Sequence, residues 1–198
     1  MPSRSNSVLM ATLLAAVASS FAAGSRARAT PQGGLPSAAS VVKPHPYVSL
    51  DPVPRGKEFE VAVVVDIARG FHMNSHKPSD EYLIPTTITP QLPAGINLSD
   101  TIYPSGRLEK FSFSPNKPLD VYTGSVTLKL KLVAQANAAL GAATIPVTLR
   151  YQACNDAACL PPVKVPVDVQ LQVAASGAQA RPIHPEVFST PAAANSTK

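Results

Sequence analysis

An all-β fold, built as a two-layer antiparallel sandwich, is predicted by three features of the chain. Four stretches place apolar residues at every second position, the period of a half-buried strand. No window sustains a helical period. Turns containing Pro and Gly separate about seven short strands, the number and spacing of an immunoglobulin-like sandwich. The true immunoglobulin signature is absent, because the chain has no Trp and its two cysteines are too close in sequence to join opposite sheets.

Taken from the N-terminus, the first element is not part of that fold. Met1 to Ser7 is polar and carries Arg4, Val8 to Gly24 is apolar or small, and Ala27-Arg28-Ala29 offers a small-x-small exit before Thr30. That is the layout of a cleavable signal peptide over residues 1–29, directing export to the periplasm or beyond. A membrane anchor is the competing reading, but a stable span needs roughly 20 strongly apolar residues, and this run is short and rich in Ala and Ser. No cysteine stands near the cleavage site to carry a lipid. Removing 29 residues from 198 leaves 169, a length that suits one domain with tails. Of the formal charge of +5, Arg4, Arg26 and Arg28 carry three, so the exported chain holds about +2. With no Lys/Arg cluster left, nucleic acid is not an expected partner.

Residues 30–43, rich in Pro, Gly, Ser and Ala, read as a flexible linker, and residues 175–198 as a disordered Pro/Ala-rich tail. The domain is expected over 44–174. Phe59, Val61, Val63 and Val65 form the first clear alternation. Val126, Leu128, Leu130 and Leu132 form the second, and Ile145, Val147, Leu149 and Tyr151 the third. Val163, Val165, Val167, Val169, Leu171 and Val173 form the last. Weaker strands are expected around Tyr47–Leu50, Tyr82–Thr89 and Ile96–Ile102. Pro166 cannot donate to a ladder, so the last strand should lie at an edge or face outward there. Ala134 to Ala143 is helix-friendly in composition, but Gly141 and its short length make a turn equally expected.

Only two cysteines are present, so only one intramolecular pairing exists, and export permits it. Cys154 and Cys159 flank Asn155 and Asp156, which are turn formers, between a strand ending near Tyr151–Ala153 and one starting after Pro162. A four-residue hairpin loop follows, with facing Cβ atoms about 4.5–5.5 Å apart, near enough for a disulfide after modest adjustment. Closing so short a loop stabilises by only about 2 kcal/mol. That favours a reactive bond over a staple, although a structural disulfide stays open on spacing alone. Zinc needs four ligands, and the sequence offers two thiols and scattered histidines. Asp156 is the nearest ionisable neighbour, and no Lys or His flanks either cysteine to lower a thiol pKa.

At these residues the sequence resembles the N-terminal periplasmic domain of the disulfide reductase DsbD. The resemblance is carried by Tyr151-Gln152-Ala153-Cys154, the loop Asn155 to Ala158, and Cys159-Leu160-Pro161-Pro162. It is supported upstream by Asp66 to Pro78 and Glu81 to Thr89, and covers about Pro44 to Val173. It implies an immunoglobulin-like sandwich and a redox pair, Cys154 and Cys159, with Cys159 attacked and Cys154 resolving and leaving. It implies an aromatic cap over the cysteines, for which Tyr103 is the match. It also implies thioredoxin-like redox proteins and periplasmic disulfide isomerase-like proteins as partners, without a cofactor. Best-known members have one more residue between the cysteines. The membrane-spanning and thioredoxin-like parts are absent from this chain, so a membrane electron transporter would act in trans.

The expected function is thus periplasmic thiol–disulfide exchange. The rival is a non-catalytic exported binding domain with a small structural disulfide. His72 and His76, with Met73 between them, raise copper as an idea, but a polar turn ending at Pro78 is the plainer expectation. Tyr82 and Tyr122 read as packing residues, and no nucleophile turn supports hydrolysis.

Overall fold

The computed structural model describes residues 36–189. The expected signal peptide, most of the expected linker and the end of the expected tail lie outside them. Among the described residues, no helix is long and apolar enough to cross a membrane.

Two four-stranded sheets form the sandwich. In the first, β1 (Val42–Val48), β4 (Glu58–Ile67), β10 (Ser125–Ala134) and β7 (Ile96–Ile102) lie side by side in that order. In the second, the order is β3 (Val53–Pro54), β13 (Val163–Ala174), β11 (Gly141–Tyr151) and β6 (Thr87–Pro90). Every pairing in them is antiparallel except that of β3 with β13. The alternation read from sequence is the reason. Val61, Val63 and Val65 of β4 and Leu128, Leu130 and Leu132 of β10 are fully buried, as are Ile145 and Leu149 of β11. They share one core with Val167, Val169 and Val173 of β13. Each such side chain stabilises by roughly 1.5–3 kcal/mol when fully buried. A one-residue slip would turn the whole set outward, so the register is tightly specified.

A third sheet closes one end: β12 (Ala153–Cys154), β5 (His72–Asn74), β9 (Ser114–Tyr122) and β8 (Arg107–Phe111). β12 continues β11, while β5 follows β4 and β9 leads into β10. The end sheet is therefore fed by strands of both layers, and it carries Cys154, with Cys159 bridged to it just outside the strand.

Several expectations differ from the structure. The strand expected over Tyr82–Thr89 shrinks to β6; Tyr82 stands exposed in a turn. His72 is not in a polar turn. His72, Met73 and Asn74 are all buried as a strand, Met73 and Asn74 pairing with Tyr122 and Val121 of β9. β8 and β9 were not expected at all. Within the expected linker, Val41 and Val42 are in the core and β1 begins at Val42. Within the expected tail, β14 (Arg181–Pro182) pairs with β2 (Leu50–Asp51) and α1 spans Pro185–Phe188. The Ile183 amide donates to the Ser49 carbonyl, which holds the segment to the domain. Pro166 is exposed, pairs in register with Thr148 on one side and among the described residues has no strand on the other, as its missing N–H requires. The segment after Ala134 is a turn, and Ala138 in it is buried. Gly95 meets that turn at φ +80°, where a Cβ would fall 2.5 Å from the Ala138 Cα; only glycine fits.

Candidate functional site

β11 ends at Tyr151, whose hydroxyl donates to the Ala38 carbonyl at 2.8 Å and whose burial pushes its pKa up to about 12. The chain then steps through Gln152 into β12, where Ala153 faces Met73 and Cys154 faces His72. The following loop is built by Asn155. Its amide donates to the Ala158 carbonyl at 2.9 Å. Its Oδ1 accepts from the amides of Ala157 and Ala158 at 2.9 and 2.8 Å, an arrangement suited to the short polar side chain of Asn. The Leu160 amide returns to the Ala153 carbonyl at 2.8 Å. Cys154 and Cys159 are thereby opposed, bonded through sulfur, with Cα atoms 3.9 Å apart.

The two cysteines differ in access. Cys154 is 1% exposed, whereas Cys159 is open to solvent. A nucleophile arriving from outside meets Cys159 first.

The tip of the β8–β9 hairpin stands beside this loop. The Ser112 hydroxyl donates to the Asp156 carbonyl at 3.0 Å. Phe111 stacks on His72 with ring centroids 4.0 Å apart, and Phe113 stacks on Phe111 at 5.4 Å. Phe111 is anchored in a small apolar cluster with Leu83, Leu119 and Val121, while Phe113 remains 46% exposed. Tyr103, the residue expected to cap the cysteines, is placed elsewhere. It stacks on His76 at 3.6 Å, and its hydroxyl accepts from the Ile88 amide at 3.1 Å. The Tyr122 hydroxyl braces the same region, donating to the Pro104 carbonyl at 2.9 Å and accepting from the His76 amide at 3.2 Å. The aromatic side chains at the cysteine loop are instead Phe111 and Phe113. The only signal for them in the sequence was two Phe residues on either side of Ser112.

His72 is the other residue that sequence reasoning did not bring to the cysteines. It is 3% exposed, and its Nε2 is buried with no hydrogen-bond partner among the described residues. Burial holds its pKa below the usual histidine value, and the Asp156 carboxylate pulls weakly the other way. The ring borders a groove of about 470 Å³, lined also by Arg69, Phe71, Glu109, Phe111 and Asp156. His76 points to a different neighbourhood, its Nδ1 3.1 Å from the Thr86 carbonyl. The structure does not bring the two histidines together. Among the described residues, no group of three or more His, Cys, Asp or Glu is placed to hold a metal.

Residues 38–171 match the family model described as the N-terminal part of the thiol:disulfide interchange protein DsbD. The chain belongs to that family. Its fold is that of a DsbD N-terminal domain, and it carries one disulfide-bonded cysteine pair among the described residues. Among solved structures, it is similar to the Neisseria meningitidis DsbD N-terminal domain in the reduced form, at 19% identity and a TM-score of 0.41, covering 75% of this chain and 94% of that one. It is also similar to the N-terminal periplasmic domain of ScsB from Proteus mirabilis, at 15% identity and a TM-score of 0.43. There 64% of this chain is covered, and it spans 45% of the ScsB chain. No curated protein matches the sequence.

Proposed function

We propose that this DsbD N-terminal domain relays electrons in the periplasm by thiol–disulfide exchange through Cys154 and Cys159. The observation that carries the reading is the asymmetry of the pair: an exposed Cys159 bonded to a buried Cys154 on a four-residue loop. A thioredoxin-like donor's thiolate attacks Cys159 Sγ, the Cys154–Cys159 bond breaks, and the electron pair leaves on Cys154. A second donor thiol then resolves the mixed disulfide. The reduced pair passes its electrons to an exported thiol protein by the same steps in reverse. Phe111 and Phe113 act as the cap. Phe111 is held by its apolar cluster, and the exposed Phe113 and the Ser112 tether are the parts free to swing when a partner docks.

Trapping tests this directly. Cys154→Ala leaves Cys159 without its resolving partner, so it should accumulate mixed disulfides with thioredoxin-like and disulfide isomerase-like proteins in the periplasm. Cys159→Ala, with a buried thiol, should trap little. Equal trapping by both variants, or none by either, contradicts the assignment.

A further inference from the structure

We propose that His72 is a positioning residue for the leaving sulfur, its imidazole N–H donating to Cys154 Sγ once the disulfide opens. The inference rests on the exchange reaction above and names a partner for its buried half.

Paired positions on antiparallel strands carry side chains on the same face, with Cβ atoms about 4.5–5.5 Å apart. His72 and Cys154 are such a pair. Both are buried, at 3% and 1% exposure, and Nε2 of the ring is left unpartnered while the disulfide is closed. A buried polar nitrogen without a partner is uncommon and calls for a reason. Phe111, stacked 4.0 Å from the ring, fixes its plane. The charged groups around it are Asp156 of the cysteine loop, Glu109 of β8 and Arg69 of the turn before β5, all on the same groove. Burial keeps the imidazole neutral, so it offers one N–H donor and one acceptor nitrogen.

The reaction creates a need for that donor. As the partner's thiolate bonds to Cys159 Sγ, the old S–S bond breaks and its electron pair departs on Cys154 Sγ. A thiolate then appears where water is scarce, and an unpaired buried charge is unfavourable. The His72 N–H holds that charge until the sulfur takes a proton from solvent, so the net change is one partner thiol consumed and one protein thiol formed. In the reverse direction the same contact holds the Cys154 thiolate for attack on Cys159 Sγ of a mixed disulfide.

In Cys159→Ala the one remaining thiol is Cys154, and thiolate absorbance reads its pKa without any partner. Adding His72→Phe, which keeps a flat ring on Phe111, should raise that pKa by about one unit or more, the scale of a hydrogen bond to a charged group. His72→Gln, which restores an N–H donor, should recover part of the shift. His76→Phe should leave it unchanged. In the oxidised protein, His72→Phe should slow cleavage by dithiothreitol at neutral pH about threefold, because exchange rates follow thiol pKa with a slope of about one half. A second readout needs no substitution: in reduced wild-type protein, the His72 ring resonances should shift as Cys154 titrates. A folded His72→Phe protein with an unchanged Cys154 pKa overturns the proposal, as does a His72 resonance blind to the thiol. Wild-type protein that fails to exchange with a thioredoxin-like partner would instead sink the relay, leaving the imidazole–thiol coupling to be read on its own.

Discussion

Replacing both cysteines, Cys154→Ala/Cys159→Ala, separates a reagent from a staple. The bond closes a loop of six residues, 154 to 159, and constraining the unfolded chain at that length is worth about 2 kcal/mol at 25 °C. Removing the buried Cys154 sulfur adds a transfer loss of about 1 kcal/mol, the scale of one buried methylene. Exposed Cys159 adds little. The total is about 3 kcal/mol, well below the roughly 5–15 kcal/mol that holds a domain together. The loop has its own support in the four hydrogen bonds made by Asn155 and Leu160, and the core lies in sheets that do not need the bond. Urea unfolding of the oxidised, reduced and double-variant proteins measures each part. Oxidised and reduced wild type should differ by about 2 kcal/mol, and reduced wild type and variant by about 1. A double variant that does not fold, or that loses about 5 kcal/mol or more, would show the bond to be a structural necessity.

Three further outcomes are expected. Phe113→Ala removes a half-exposed ring, so stability should change by less than about 1 kcal/mol while dithiothreitol reduces the disulfide faster. Tyr103→Ala, which alters a region away from the cysteines, should leave that rate alone, and the opposite ranking in stopped-flow reduction would return the cap to Tyr103. His72 has a lowered folded pKa, so the unfolded state binds its proton first as pH falls below about 6.5. Stability should therefore be full above that pH and decline below it, by at most about 1.4 kcal/mol per pH unit from this residue. A urea series from pH 7.5 to 5 should show the decline shrinking in His72→Phe, and identical slopes would contradict it. Gly95→Ala forces a left-handed backbone and a 2.5 Å approach to Ala138. It should cost about 2 kcal/mol or more, checked by thermal melting.

The core strands were legible because alternation is local: Val61 to Val65, Leu128 to Leu132, Ile145 to Tyr151 and Val167 to Val173 state their inner face without reference to anything distant. The cysteine hairpin was legible for the same reason, since Asn155 builds its turn from its own neighbours. The surroundings of the site were not. Cys154 meets His72 through a two-residue strand pairing between remote segments, and no local pattern encodes such a register. β8 and β9 escaped notice because Lys117, Pro118 and Asp120 break the apolar rhythm, while solvent takes one face and a small cluster the other. Tyr103 was expected at the cysteines only through the family's aromatic cap, and its position is decided by His76 and Ile88, neither of which can be anticipated from the residues beside it. The segment after Ala175 looks unstructured by composition and is held by backbone pairing to β2, which composition does not report.

The central claim, that the Cys154–Cys159 bond is an exchangeable one, is tested most directly by equilibrating the native wild-type protein against a thioredoxin redox couple and reading the fraction of free thiol. The account predicts exchange without denaturant and a reduction potential above about −300 mV, the region below which structural disulfides sit. A potential well below −300 mV with no exchange until the protein is unfolded would contradict it and leave a binding domain with a structural disulfide.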